Sequence, residues 1–214
     1  VKPDAQRAIA SYRKHAPNFE RRTRRSSVFR REAVELLELQ PGQTVIDVAC
    51  GTGLNFDALQ RGVGPGGRVV GVDVSPEMLS VAHHRVDDRG YWNVVLHESD
   101  AKLLDLGLEA DAALFSLAHD VLRSEAALTA VLRTLRPGAR VAAFGAKWAP
   151  RWNLPVRLSV WRRARPYVTT FEGFERPWDK LDLLIDDLRV REVAYGSAFL
   201  AWGTVDSARV AACR

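Results

Sequence analysis

Cysteine is nearly missing from this 214-residue chain, where Cys50 and Cys213 are the only two. Two thiols cannot build the disulfide framework on which small secreted domains depend, so the composition predicts a reducing, cytoplasmic setting. Long apolar runs are missing as well. None approaches the ~18 residues of a bilayer span, and the opening VKPDAQRAIA has no signal-peptide core. There is no internal repeat, no low-complexity linker and no composition break, so a single domain is expected. Acidic residues are absent from 126–171, a stretch with nine Lys or Arg, and residues 5–31 hold nine more against one acid, Glu20. The rest of the chain has 13 basic and 25 acidic residues, so the net charge of +5 hides a mildly acidic body carrying two basic segments. Such segments suit an anionic partner (substrate, membrane surface or nucleic acid) or are solvated basic faces.

What is present alternates between strand and helix patterns. Val28, Phe29, Ala33, Leu36, Leu37 and Leu39 form a helical stripe over 28–39, stopped by Pro41-Gly42, and residues 3–15 also read as helix. Strands are expected at 44–49, 68–74, 93–98, 111–117 and 139–145. Helices are expected from Leu54 to about Gln60, after Ser75-Pro76 as N-cap and first-turn proline, and from about Ser124 to Arg136, ended by Pro137-Gly138. After an irregular aromatic-rich stretch come a helix near 177–188 and an antiparallel pair, LRVREVAY and SAFLAWGTV, joined at Gly196-Ser197. Strands alternating with helices predict a parallel sheet covered on both faces, with an antiparallel strand at or near one edge. Ligands in such sheets bind beyond the carboxyl ends of the strands.

The chemistry-bearing residues fall at those ends. The first strand runs into Asp47-Val48-Ala49-Cys50-Gly51-Thr52-Gly53 and a helix follows at once. Gly51 and Gly53 allow close backbone approach, and the helix start offers N–H groups to a polar ligand. Asp73 ends the second strand 26 residues after Asp47, the spacing at which an acid meets a ribose diol in nucleotide-binding βαβ units. Asp100 follows the third. One strand-end Asp is commonly a helix cap; three in succession are poorly explained that way.

VIDVACGTGLN, VVGVDVSPEMLSVA, ESDAKLL, DAALFSLAHDVL and LRPGARVAAFG, in this order, resemble the motifs of class I S-adenosylmethionine-dependent methyltransferases. The resemblance covers about 28–146 and the terminal hairpin. It implies a Rossmann-like α/β fold, a seven-stranded, mostly parallel sheet with one antiparallel strand and helices on both faces, and S-adenosyl-L-methionine as cofactor. It also implies that Asp47, Ala49, Gly51 and Gly53 cradle the methionine part, that Asp73 binds the ribose, and that Val74 and Met78 lie against the adenine. Asp100 and Ala101 would meet the adenine edge, with Ser116 and Leu117 on the methionine side. Ala49 stands where the family usually has its first glycine, and alanine, the least intrusive replacement, is expected to preserve binding. Within the family the chain is similar to small stand-alone quinone and phospholipid methyltransferases, whose N-terminal Tyr-x-x-x-Ala-x-x-Tyr pattern is matched by Tyr12, Ala16 and Phe19.

On this reading the chain divides into an N-terminal lid (1–27), a cofactor-binding core (28–146), a substrate-side insert (147–176) and a terminal helix and hairpin (177–214). The insert and its flanks hold eight of the 18 aromatic residues within 144–178, mixed with arginine. That composition suits an aromatic substrate pocket, a segment resting on anionic lipid, or ordinary lid packing. Tyr12, Phe19, Lys147, Trp148, Trp152 and Tyr167 are the candidate substrate contacts. His119 and Asp120, just past the fourth strand, are the catalytic candidates: His119 as a base titrating near 6.5, Asp120 as its orienting partner. The alternative makes Asp120 a helix cap and His119 a loop filler. His83-His84 lack closing ligands for a zinc site.

The expected function is methyl transfer to a small molecule or lipid headgroup by a cytoplasmic protein, either free or peripheral to a membrane. Same-cofactor cyclisation or aminocarboxypropyl transfer stays open, because fold does not fix reaction. Nucleic-acid methylation is disfavoured: Ser116-Leu117-Ala118-His119-Asp120 replaces the Asn/Asp-Pro-Pro-aromatic run of amino-directed base methyltransferases, and no RNA-binding module is appended.

Overall fold

The computed structural model describes residues 23–212. The expected helix over 3–15, the candidates Tyr12 and Phe19, most of the 1–27 lid, and Cys213 lie outside the described residues. Seven strands form one sheet: β1 (Thr44–Val48), β2 (Arg68–Asp73), β3 (Val94–Glu98), β4 (Ala110–Ser116), β5 (Leu135–Ala146), β6 (Ile185–Val193) and β7 (Ala198–Val205), in the order β3-β2-β1-β4-β5-β7-β6. The first five pair in parallel, whereas β7 runs antiparallel to both β5 and β6. The antiparallel strand is therefore second from the edge. Strand order reverses at β1 and β4, and the crevice at that switch point is where an open parallel sheet accepts a ligand.

The short strands need no polar face because both sides are covered. Successive residues point to opposite faces. Val45 and Leu114 pack with Phe56 and Leu59 on one side, while Ile46, Val48 and Phe115 pack with Leu128 and Val131 on the other. The first side is closed by helices α1 (Ser27–Glu35), α2 (Phe56–Val63) and α3 (Pro76–Arg89). Further along the chain come α4 (His119–Leu122), α5 (Glu125–Leu132), α6 (Leu154–Ala164), α7 (Asp179–Asp182) and α8 (Ser207–Ala212). Ser75 caps α3 as the sequence predicts, accepting the Met78 N–H at 3.3 Å with Pro76 in the first turn. No helix among the described residues is long and apolar enough to cross a membrane.

Three local expectations are corrected. Pro137-Gly138 does not end a helix: α5 stops at Leu132, and both residues belong to β5, which bulges between its pairings of Leu135 with Ala110 and of Arg140 with Ala112. Proline is tolerated at such irregular positions because no ladder donor is needed there. The helix expected near 177–188 shrinks to the single turn of α7, since Ile185–Val193 pairs with β7 instead. The aromatic-rich stretch expected to be irregular contains α6, which buries Val160 and Ala164 against Phe174.

Candidate active site

After β1 the chain turns sharply through the left-handed region, with φ of 55° at Ala49, 57° at Gly51 and 74° at Gly53. Gly51 and Gly53 adopt it freely, and Ala49 does so against its Cβ. Asp73, at the end of β2, stitches this turn to the next. Its Oδ2 accepts the Gly51 N–H at 2.8 Å and its Oδ1 accepts the Ser75 N–H at 2.9 Å. Burial raises the Asp73 pKa, opposed by the N–H groups of Ser75, Gly51 and Val74. Below it Asp47 is fully buried, both carboxylate oxygens accepting from Asn55 Nδ2 at 3.1 Å. Burial pushes Asp47 up to about 7; the Asn55 hydrogen bond opposes this, the Asp73 charge adds to it, and Arg30 works against it.

These elements border a cavity of about 1080 Å³, open mouth included, at the carboxyl ends of the strands. It brings together Ala49, Gly51, Asp73, Val74, Met78 and Asp100. Ala101, Ser116, Leu117, His119 and Asp120 complete the group of sequence-predicted residues that line it. Asp47 and Gly53 do not line it. Asp47 lies beneath, and Gly53 makes room for the Phe56 ring, which a Cβ there would meet at 2.4 Å. Asp100 also caps a 3₁₀ turn at Ala101–Leu103, accepting the Lys102 N–H at 3.0 Å, so cap and cavity wall are the same residue.

Sequence reasoning missed Arg30, Cys50, Leu54, Asn55 and Lys102, which also line the cavity. The signal for Asn55 was its place at the start of α2, eight residues past Asp47. Arg30 was hidden at the end of the basic segment 5–31, outside every motif. Cys50 is no nucleophile: burial, then the charges of Asp73 and Asp47, raise its thiol well above the ordinary value.

The catalytic candidates sit where β4 gives way to α4. His119 is buried and stacks on Phe174 at 4.6 Å between ring centroids. Neither ring nitrogen makes a well-formed hydrogen bond, although the Thr170 backbone lies close enough to favour the proton weakly. Burial first, then the Arg123 charge, lowers the His119 pKa to about 4, correcting the unperturbed value expected from sequence. Asp120 neither holds the His119 ring nor caps α4, whose N-cap is Ala118. Its Oδ1 instead accepts the Thr169 N–H at 3.4 Å, tying the strand-four loop to the insert.

None of the insert's four candidates lines the cavity. Lys147 is buried, with Nζ donating to Glu192 at 3.0 Å and to the Trp148 and Gly196 carbonyls. Trp148 packs on Phe171 and Phe174 beneath the Arg157 guanidinium. Trp152 is 81 % exposed, and Tyr167 turns at the end of α6, its N–H bonded to the Ala164 carbonyl.

The cavity residues fit a nucleoside-bearing cofactor with a zwitterionic tail. The buried Asn55 Oδ1 and Ser116 Oγ have no protein partner, and buried polar groups require one. Both residues belong to the lining of a space edged by acids at successive strand ends and by the α2 start.

Comparison with known proteins agrees with this geometry. Residues 45–138 match a family model described as a methyltransferase domain. A ubiquinone/menaquinone biosynthesis C-methyltransferase of Pseudomonas putida is 35 % identical over 118 residues, covering 53 % of this chain and 46 % of that protein. The chain thus spans about half the length of the curated relatives it matches. A solved S-adenosylmethionine-dependent methyltransferase from Aquifex aeolicus superposes with a TM-score of 0.58 at 21 % identity, covering 83 % of this chain and 89 % of that one. A Haemonchus contortus phosphoethanolamine N-methyltransferase, solved with S-adenosylhomocysteine, gives 0.58 at 20 % identity over 76 % and 38 %. These two likenesses show the fold.

Proposed function

We propose that this chain, whose residues 45–138 match a methyltransferase-domain family model, is a class I S-adenosylmethionine-dependent methyltransferase that transfers a methyl group to a small, electron-rich ring of the quinol type. The observation that carries the reading is the cavity at the switch point, with Gly51, Asp73, Asp100 and Ser116 on its walls and buried polar atoms without protein partners on two of its lining residues, Asn55 and Ser116. S-adenosylmethionine supplies an electrophilic methyl on sulfur. Asp73 would hold the ribose while keeping the Gly51 turn in place. Asn55, braced by Asp47, would take the ammonium, and Gly51 leaves the tail room to approach the backbone. Val74 and Met78 would flank the base, with Asp100 and Ala101 at its edge.

His119 would face the acceptor beyond Ser116 and Leu117. A ring titrating near 4 is neutral at pH 7, so it accepts a hydrogen bond from an acceptor hydroxyl and takes up a proton only transiently. That suits a ring carbon whose attack depends chiefly on orientation. The quinone-directed relative at 35 % identity supports the same acceptor class. The test is calorimetric titration with S-adenosylhomocysteine. Asp73→Ala should weaken binding by about 1.5–3 kcal/mol, the value of lost charged hydrogen bonds. Asp73 also holds two backbone N–H groups, so Asp73→Asn and a thermal melt separate loss of ligand from loss of fold. Unchanged affinity in a folded Asp73→Ala protein overturns the assignment.

A further inference from the structure

Helix α6 has two apolar faces, and among the described residues only one is covered. Val156, Val160 and Ala164 turn inward onto Phe171, Phe174 and Trp148. Leu154, Leu158 and Trp161, at the i, i+4, i+7 spacing of one helical stripe, turn outward and are 67 %, 53 % and 39 % exposed; Trp152, just before the helix, is 81 % exposed. Other exposed apolar side chains, such as Trp92, Leu103 and Tyr195, are spread along the chain and need no explanation. Arg151, Arg162, Arg163 and Arg165 are exposed around this stripe, with the Arg165 guanidinium over the Trp161 ring at 5.0 Å. No acid occurs anywhere in 126–171 to neutralise them.

We propose that the outer face of α6 docks this protein onto an anionic lipid bilayer. Tryptophan and leucine with an arginine border are what a helix lying in the headgroup region requires: the rings and leucines enter the acyl boundary while the guanidiniums meet lipid phosphates. The charge selects this occupant. Residues 1–22 carry six basic against two acidic residues, a charge that does not complement an arginine-bordered face. A second copy would bring arginine to arginine. Nucleic acid answers the charge, but the two leucines have no role on phosphates. The insert leaves the sheet at the carboxyl end of β5, and the cavity lies at the carboxyl ends of the same sheet, so docking would bring that end of the molecule to the bilayer, within reach of an acceptor dissolved in it. The docking itself does not depend on the methyl-transfer reading.

The test is cosedimentation of the full chain with vesicles of phosphatidylcholine alone or with about one-third phosphatidylglycerol, at low and high salt. Binding should require the anionic lipid and fade as salt rises. Arg162→Gln with Arg163→Gln should weaken it roughly 25-fold, from about fivefold per basic residue at an anionic surface. Leu154→Glu with Leu158→Glu should weaken it about tenfold or more, through lost apolar insertion and added repulsion. Both variants should keep the wild-type melting temperature and S-adenosylhomocysteine affinity, and if the leucine pair fails to fold, the arginine pair still decides. Absence of wild-type binding to anionic vesicles overturns the proposal, as does equal binding by a folded arginine variant. A salt-sensitive RNA gel shift without vesicle binding, or a wild-type dimer that the leucine pair turns monomeric, overturns it in favour of those partners.

Discussion

The turn after β1 and the segment after β5 leave the same end of one sheet, yet they differ in what holds them. The first is held by short-range bonds: Asp73 to Gly51 and Ser75, Asn55 to Asp47, Ser75 to Met78. The second is held by packing across distant chain: His119 and Trp148 on Phe174, Lys147 reaching Glu192, Asp120 reaching Thr169. Cavity-lining residues of the first region therefore sit at fixed offsets along the sequence. In the second, a side chain facing substrate and one facing core carry the same residue types.

The largest expected effect sets one buried group of each region against the other. Asp47 has a folded pKa near 7 against an ordinary 3.8, so the folded state holds a proton that the unfolded chain has released. Its stabilising share is complete below about pH 4 and lost as pH rises to 7, about 4 kcal/mol at 1.36 kcal/mol per unit. His119 is lowered from 6.5 to about 4, so between these values the unfolded chain binds the extra proton and stability rises with pH, by about 3 kcal/mol. The two slopes oppose each other over one window. Asp47→Asn should leave a protein that gains stability from pH 4 to 7 relative to wild type, and His119→Gln one that loses it from pH 4 to 6.5. Urea unfolding across that range checks both; difference curves without these opposite slopes would show that neither group is buried as described.

Next in size is the expected effect on turnover. If the substrate side depends on His119 as a hydrogen-bond acceptor, His119→Ala should lower kcat about 10²-fold, the lower end of general-base effects, because a pKa near 4 is a poor match to neutral pH. S-adenosylhomocysteine affinity should hold, since Asp73 and Asp100 are on other strands. The wild-type rate should stay level with pH down to about 5 as far as His119 is concerned, and not fall at 6.5. A pH–rate profile with single-turnover measurements checks this.

Legibility in the sequence follows the same division. The strands through β4 and the Ser75 cap were readable from local sequence pattern, and the eleven cavity-lining residues from strand-end position together with motifs that resemble a known family. Asn55 and Arg30 were not, because their place at the cavity depends on how α1 and α2 pack on the sheet. Pro137-Gly138 misled for a related reason: a bulge against β4 let strand continue where local preference said stop. In the insert, aromatic content left pocket, lipid contact and lid packing open, and the structure gives Trp148, Phe171 and Phe174 to a cluster under α6, in which Phe174 packs on His119.

The smallest effect expected lies in the region that is otherwise best determined. Ala49 occupies a left-handed backbone position, φ 55°, that a non-glycine residue enters at a cost of about 1–2 kcal/mol. It lines the cavity, between the buried β1 core and Gly51. Ala49→Gly removes that strain but loosens the unfolded chain, which takes back roughly 0.4–1 kcal/mol. The net should be a stabilisation of about 0.5–1 kcal/mol, with S-adenosylhomocysteine affinity unchanged or slightly improved because a methyl leaves the cavity wall. The reverse change at a neighbour, Gly51→Ala, puts a Cβ on a backbone at φ 57° in the same wall and should lower both quantities. Urea midpoints and calorimetry on the pair check the sign. Destabilisation by Ala49→Gly would mean that the alanine methyl packs well enough to outweigh its backbone strain, so that the turn is held by side-chain packing, as the insert is, and no longer by its local bonds.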